Sequence, residues 1–170
     1  MMENKKIAGS ILFLGAVIYI MGTVIGDKYG EALIYNSSVL LLGLFMIIGA
    51  YYIQQTFKTG IFSILLIIAG LGTAALGLLE QDSTVYFAFA TIGYIAFALS
   101  AVFSYKFEKT PFNYFSVILG ISTLIAFALW VSGIELSAGV TITPIIADFP
   151  VLLWLLGFGA YILGTSTSEK

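Results

Sequence analysis

One uncharged stretch limits the folds open to this chain more than any other feature. From Gly60 to Leu79 the chain carries no charged residue, whereas Lys58 precedes the stretch and Glu80 follows it. At about 1.5 Å per helical residue, such a stretch crosses the roughly 30 Å hydrocarbon layer of a membrane. It is rich in glycine and alanine, small residues that let a neighbouring helix approach closely within lipid. The stretch is therefore predicted to be a transmembrane helix.

Similar apolar runs fill the rest of the chain. Of its 170 residues, 60% are apolar and only 9% are charged, whereas soluble proteins carry about 25% charged residues. We predict an all-α, polytopic membrane protein with a single domain, residues 1–170, folded as a compact bundle of six transmembrane helices in three hairpins. The predicted helices cover about 7–26, 33–53, 60–79, 85–105, 111–133 and 144–164.

The charged residues predict how the bundle is oriented. Only Lys28 of the seven lysines lies at the face opposite the predicted termini. Because short lysine-rich loops stay in the cytoplasm, both termini are predicted to be cytoplasmic, in a multi-pass protein of the cell membrane. The acidic residues sort the other way, and six of them are predicted at the outer face: Asp27, Glu31, Glu80, Asp82, Glu135 and Asp148.

Prolines mark the starts of the last two helices. Thr110 and Pro111 are typical of an N-cap followed by a first-turn proline, and they predict the start of the fifth helix. The start of the sixth is open, because either Pro144 or Pro150 can occupy its first turn. The choice decides whether Asp148 lies at the membrane interface or within the membrane.

The composition argues against several kinds of chemistry. The chain has no cysteine and no histidine, and its basic residues are all lysines. Disulfides, thiolate chemistry and the commonest metal ligands and general bases are therefore not expected. Without arginine, and with a net charge of −2, no nucleic-acid surface is expected. We predict no catalytic motif, metal site or cofactor; the expected partners are the lipid bilayer and, as candidates, other membrane proteins or a second copy.

Polar residues near the predicted outer face form the candidate ligand-binding set: Asn36, Ser37, Glu80, Asp82 and Asp148. Asn36 and Ser37 fall inside the second helix, where polar groups need partners, either on another helix or in a cavity. The outer carboxylates are interpreted either as solvated loop charges or as a converging set able to bind a hard cation or to act as an acid/base pair. Glu80 and Asp148 stand out because both lie at helix ends.

Several segments resemble the domain-of-unknown-function 998 family. The similarity rests on residues 36–39, 62–66 and 69–72, on Phe115-Ser116-Val117-Ile118-Leu119-Gly120, and on Phe149-Pro150-Val151-Leu152-Leu153-Trp154. It runs in order along nearly the whole chain. The resemblance implies a six-helix membrane protein of a largely archaeal family, and it implies no particular activity.

Three functional hypotheses follow. The first is a non-catalytic accessory or structural component of a membrane complex, which contacts its neighbours through glycine-rich faces. The second is a small transporter or lipid-binding protein with an outward-facing polar cavity near Asn36, Ser37, Glu80 and Asp148. The third is an intramembrane lipid enzyme that uses the Glu80 and Asp82 carboxylates. An enzyme is less expected than a non-catalytic protein.

Overall fold

The computed structural model describes residues 2–80, 83–133, 135–136, 140–141 and 144–167. Over this part of the chain it has six helices, and the predicted all-α bundle is confirmed. A pair of two-residue antiparallel strands, β1 and β2, lies in the connection between the last two helices. The elements are α1 (Met2–Tyr29), α2 (Ala32–Phe57), α3 (Gly60–Leu76), α4 (Thr84–Ser104), α5 (Phe112–Ser132), β1 (Glu135–Leu136), β2 (Val140–Thr141) and α6 (Pro144–Thr167).

Five of these helices, all except α3, are long and apolar enough to cross a membrane. The exception, α3, has 17 residues, about 25 Å at 1.5 Å per residue, which is the short end of the range for membrane spans. The third helix, predicted to cover 60–79, ends at Leu76, three residues earlier than predicted. Glycine has a low helix propensity, so the repeated glycines near this end weaken the helix. The chain is an integral membrane protein.

The helices form a closed ring. Each packs against the next along the chain, and α6 packs back against α1. The α1–α6 contact is close: a Cβ added to Gly9 would lie 2.8 Å from the carbonyl oxygen of Gly159. Since Gly9 lies early in α1 and Gly159 late in α6, both chain ends lie at one end of the bundle. We call it the terminal end, and the opposite end, with the α1–α2, α3–α4 and α5–α6 connections, the distal end.

Small residues let the backbones of neighbouring helices approach closely. A Cβ on Gly72 of α3 would lie 2.8 Å from the Cα of Gly93 in α4. On the other side of α3, a Cβ on Gly70 would lie 2.7 Å from the carbonyl oxygen of Gly43 in α2. Because lipid removes the hydrophobic drive between helices, close packing of this kind is a main source of their association.

An aromatic cluster fills the terminal half of the ring. Trp154 and Phe158 of α6 stack with ring centroids 4.5 Å apart, and Phe97 of α4 meets Trp154 edge-on at 5.2 Å. Phe62 and Phe107 extend the cluster towards the terminal end, 5.0 Å from each other. We call these five side chains the aromatic plug. They leave the distal half of the ring as the place where a cavity can form.

Two predicted helix starts need correction. The predicted N-cap Thr110 is wrong: Pro111 holds the N-cap position of α5, and no side chain caps that helix. The first helix begins at Met2 rather than near residue 7. Its first turns are stabilised by packing, because Lys5 is only 7% exposed and its Nζ lies 5.5 Å from the centroid of the Phe57 ring.

Candidate binding site around Asp148

The position of Asp148 follows from where α6 begins. The helix starts at Pro144 and continues through Pro150, so Asp148 lies in its second turn. It falls inside the apolar segment Ala147–Thr165, which is long enough to cross a membrane. Of the two possible starts, the earlier proline is therefore the observed one, and Asp148 lies within the membrane-spanning segment.

Two tyrosines show how deep Asp148 lies in the bundle. The hydroxyls of Tyr19 in α1 and Tyr94 in α4 both donate hydrogen bonds to its carboxylate. Tyr19 is ten residues before the distal end of α1, and Tyr94 ten residues after the distal start of α4. At 1.5 Å per residue, both lie about 15 Å along their helices from the distal end. Asp148 is therefore well below the distal surface, although it is close to the start of its own helix.

The hydrogen bonds satisfy both oxygens of the carboxylate. Tyr19 donates to Oδ2 and Tyr94 donates to Oδ1. Among the described residues, the side chains that act on the Asp148 carboxylate are those of Tyr19 and Tyr94, and no lysine is one of them. An ionisable group at membrane depth is costly, and one without a basic partner indicates a functional site.

Asp148 borders a cavity in the distal half of the ring. Its volume is about 40 Å³, which is room for a few water molecules. Four tyrosines surround the carboxylate, and apolar side chains form most of the remaining wall. The lining residues come from five helices: Tyr19, Tyr35, Val39, Leu42, Thr73, Leu76, Tyr86, Ala90, Gly93, Tyr94, Phe97, Asp148, Val151 and Leu152.

The helices hold the tyrosines in place by packing. Tyr86 and Tyr94 are eight residues apart in α4 and thus share one face of that helix. The Tyr94 ring stacks on Phe127 of α5, with centroids 4.7 Å apart. The Tyr19 and Tyr35 rings are tilted towards each other at 6.3 Å. Phe97 closes the cavity on the side of the aromatic plug.

A wider hollow lies at the distal end of α1, α2 and α3, and we call it the distal vestibule. It has a volume of about 560 Å³, and its charged lining residues are all acidic: Asp27, Glu31 and Glu80. Thr23 also lines it, and its hydroxyl is buried with no hydrogen-bond partner among the described residues. Tyr35 lines both the vestibule and the cavity, so this side chain separates the two spaces.

The predicted site residues do not all lie together. Asn36 and Glu80 line the vestibule, and Asp148 lines the cavity beyond it. Ser37 is exposed and lines a different, largely apolar groove between α1 and α2. Asp82 lies outside the described residues. Three of the five therefore line two neighbouring hollows, which share Tyr35.

The outer carboxylates form no recognisable metal centre in the part of the chain that is described. Asp27, Glu31 and Glu80 share the vestibule, but no three acidic side chains there are close enough to hold a metal ion. The side chain of Glu135, another member of the predicted acidic set, lies outside the described residues.

The four tyrosines were not among the predicted site residues. The predicted fourth helix is rich in aromatic and small residues, and such residues at helical spacing are more often packing residues than part of a ligand site. A signal was present, since a buried tyrosine hydroxyl usually needs a hydrogen-bond partner. Tyr19 and Tyr94 lie in the middle of predicted spans that offer few polar groups. Their need for partners points to a buried acceptor, and Asp148 is an acidic residue inside the apolar segment of α6.

A second buried carboxylate lies at the terminal end. Glu108, in the α4–α5 connection, is 7% exposed, and its Oε1 accepts a hydrogen bond of 2.9 Å from the Ser116 hydroxyl. Its Oε2 is buried with no partner among the described residues. Burial raises the pKa of Glu108 from 4.5 to about 7, against the opposing effect of its hydrogen bonds. This group therefore titrates near neutral pH.

Comparison with known proteins gives no assignment for this arrangement. No family model, no curated protein and no solved structure matches the chain.

Proposed function

We propose that this membrane protein binds a small solute at Asp148 and takes it up through the distal vestibule, as a binding protein or a small transporter. The observation that carries this proposal is the Asp148 carboxylate at membrane depth, beside a cavity and without a basic partner among the described residues. Evolution rarely leaves such a group in a span for packing alone, because the cost of burying it is high.

The vestibule supports a direction for this uptake. It lies next to the cavity at Tyr35 and is open at the distal end. The lysine distribution along the chain predicts that this end faces outwards, because lysine-rich loops stay in the cytoplasm. A solute would then enter from outside the cell membrane, while the aromatic plug blocks its passage towards the terminal end.

An accessory role in a membrane complex is supported less well by the geometry. That hypothesis relied on glycine-rich faces being available to partners. Several of these glycines instead pack inside the chain: Gly72 against Gly93, Gly70 against Gly43, and Gly22 against Ser38. Copurification of a stoichiometric protein partner would favour the accessory role again.

An enzymatic role has no supporting observation. The Glu80 side chain is exposed at the vestibule, and Asp82 lies outside the described residues. The tyrosines at Asp148 donate to the carboxylate rather than to a neighbouring nucleophile. We also propose that the chain is related to the domain-of-unknown-function 998 family, which it resembles. That relationship implies no particular activity.

The test is gentle purification from native membranes, followed by mass spectrometry of the small molecules that remain bound. We expect the wild-type chain to retain a molecule that Asp148→Asn loses. Asn keeps the size of the side chain and one acceptor oxygen, so a folded variant is expected. Equal retention by the two chains, or no retained molecule in either, would contradict the proposal.

A further inference from the structure

We propose that the solute bound at Asp148 is a small organic cation, a protonated amine. This inference rests on the proposed function and names the chemical class of its ligand. It follows from what surrounds the carboxylate and from what the vestibule presents to solvent.

The residues that line the cavity favour the binding of a cation over the binding of an anion. Among the described residues that line it, Asp148 alone is charged. The Thr73 hydroxyl donates to the carbonyl oxygen of Ala69 in its own helix, at 2.9 Å. The Tyr19 and Tyr94 hydroxyls donate to the carboxylate. An anion would therefore meet a carboxylate and few available donors, whereas a cation meets a ready counter-charge.

The rings favour an organic cation over a metal ion. Four tyrosines line the cavity with Asp148, and an aromatic face attracts an alkylammonium group within about 6 Å of its centroid. Aromatic cages of this kind recognise ammonium ligands. A Ca²⁺ or Mg²⁺ ion would need about six oxygen ligands. The helical carbonyls are engaged in backbone hydrogen bonds, and the described acidic side chains form no metal-binding group.

The vestibule adds a second, independent argument. The charged residues that line it, Asp27, Glu31 and Glu80, all carry negative charge. Lys28 is in the same connection, but its Nζ lies 5.4 Å from the centroid of the Tyr29 ring and does not line the vestibule. A concave surface of one charge raises the local concentration of the opposite ion. Cations are thus concentrated in the vestibule, which shares Tyr35 with the cavity.

The cavity volume limits the ligand to a small ion. With about 40 Å³ of room, methylammonium is a suitable probe, and a large amphiphilic amine is not. Methanol has a similar shape without the charge, and sodium has the charge without the methyl group. These three compounds therefore separate the contributions of charge and of the aromatic rings.

The experiment follows the thermal unfolding midpoint of the full-length chain in detergent while methylammonium chloride is added. A ligand that binds the folded state raises this midpoint saturably. Sodium chloride at equal ionic strength and methanol at equal concentration are the references. We expect methylammonium alone to raise the midpoint, and Asp148→Asn to abolish the increase.

Variants of Tyr86 test the rings without removing the carboxylate. Tyr86 is 4% exposed and lines the cavity. Tyr86→Phe keeps the ring, so its half-saturating concentration should change less than that of Tyr86→Leu. Tyr86→Leu should raise the half-saturating concentration at least about threefold, because a cation–π contact is lost. Tyr51→Leu, at an exposed tyrosine outside the cavity, is the matched control and should behave like the wild type.

The inference is overturned if methylammonium acts no differently from sodium, or if Tyr86→Leu and Tyr86→Phe titrate alike. Should Asp148→Asn fail to fold, the two Tyr86 variants decide. Suppose that methylammonium fails this test, but that native membranes yield a neutral or anionic molecule whose retention depends on Asp148. The organic cation would then be rejected and the proposed function kept. Failure of both experiments would reject both.

Discussion

The Asp148 carboxylate receives one hydrogen bond on each oxygen, from Tyr19 and from Tyr94. These donors come from α1 and α4, which do not follow each other in the ring, so the carboxylate links three helices through its own side chain. Each oxygen accepts one hydrogen bond in this arrangement, and the remaining lone pairs of the carboxylate are available to a ligand in the cavity.

Removing either tyrosine hydroxyl should destabilise the protein. Tyr19→Phe and Tyr94→Phe each leave one buried carboxylate oxygen without a donor, which should lower the free energy of unfolding by about 1–3 kcal/mol. The measurement is reversible unfolding in mixed detergent micelles. Tyr51→Phe, at a side chain that is 57% exposed, is the control and should change little. A loss no larger than that of the control would show that the hydrogen bonds contribute no stability.

Glu108 should make the stability of the protein depend on pH. Its pKa is raised by burial from 4.5 to about 7 in the folded state, so the folded chain holds this proton more tightly than the unfolded chain. The stabilisation is complete below about pH 4.5 and is lost as the pH rises through about 7.

Glu108→Gln should remove this contribution, because glutamine has no proton to lose. Unfolding free energies measured between pH 4 and 8 should fall less steeply for this variant than for the wild type. Glu3→Gln, at an exposed carboxylate, serves as the control and should keep the wild-type slope. Parallel curves for Glu108→Gln and the wild type would reject this role for Glu108.

Helix α3 packs closely against both of its neighbours in the ring. At 17 residues it is the shortest helix, yet its glycines contact the backbones of α2 on one side and α4 on the other. Because small residues let three backbones pack closely here, the distal part of the ring can hold a cavity without losing contact between its helices.

A methyl group at the α3–α4 contact should weaken the bundle. Gly72→Ala places a Cβ 2.8 Å from the Cα of Gly93, and the helices must separate to accept it. We expect a loss of about 1–3 kcal/mol in the free energy of unfolding. At Gly60, the first residue of α3, an added Cβ meets nothing within 4 Å, so Gly60→Ala should be nearly neutral. Equal losses of unfolding free energy for Gly72→Ala and Gly60→Ala would contradict the close packing of α3 against α4.

The sequence predicts the helices well but not how they meet. Uncharged runs with polar ends reveal the number of helices, because only long apolar segments are stable in lipid. Their ends are less predictable, since Lys5 and its neighbours extend α1 beyond its apolar run by packing on Phe57. The Asp148 site depends on the contact between α6 and α1 that closes the ring. These two helices are far apart in the sequence, so no local sequence pattern predicts that contact.

At the scale of the whole molecule, the two ends of the bundle differ. The distal end has an acidic vestibule, which shares Tyr35 with the cavity at Asp148, and the terminal half is filled by the aromatic plug. Such a molecule can take up a solute from one side only in this conformation. Transport to the other side would require the plug to move.

The orientation of the two ends can be tested directly, because the chain has no cysteine. Ser132→Cys places a single thiol at the exposed distal end of α5, and Gln55→Cys places one near the terminal end of α2. Lysine-rich loops stay inside, so a membrane-impermeant thiol reagent should label only Ser132→Cys in intact cells. Both should be labelled after permeabilisation. Labelling of Gln55→Cys alone in intact cells would reverse the predicted orientation.

The central claim is that Asp148 lies in a water-accessible cavity inside the membrane-embedded bundle. The most direct measurement is the reaction rate of Asp148→Cys, as the only thiol in the chain, with silver ion, a cationic thiol reagent about the size of a water molecule, added in chloride-free buffer to the distal side. Leu66→Cys is the control, because Leu66 is 0% exposed in the core and lines no described cavity. We predict that Asp148→Cys reacts readily in the folded protein and that Leu66→Cys does not. Equal protection of the two thiols would contradict the account.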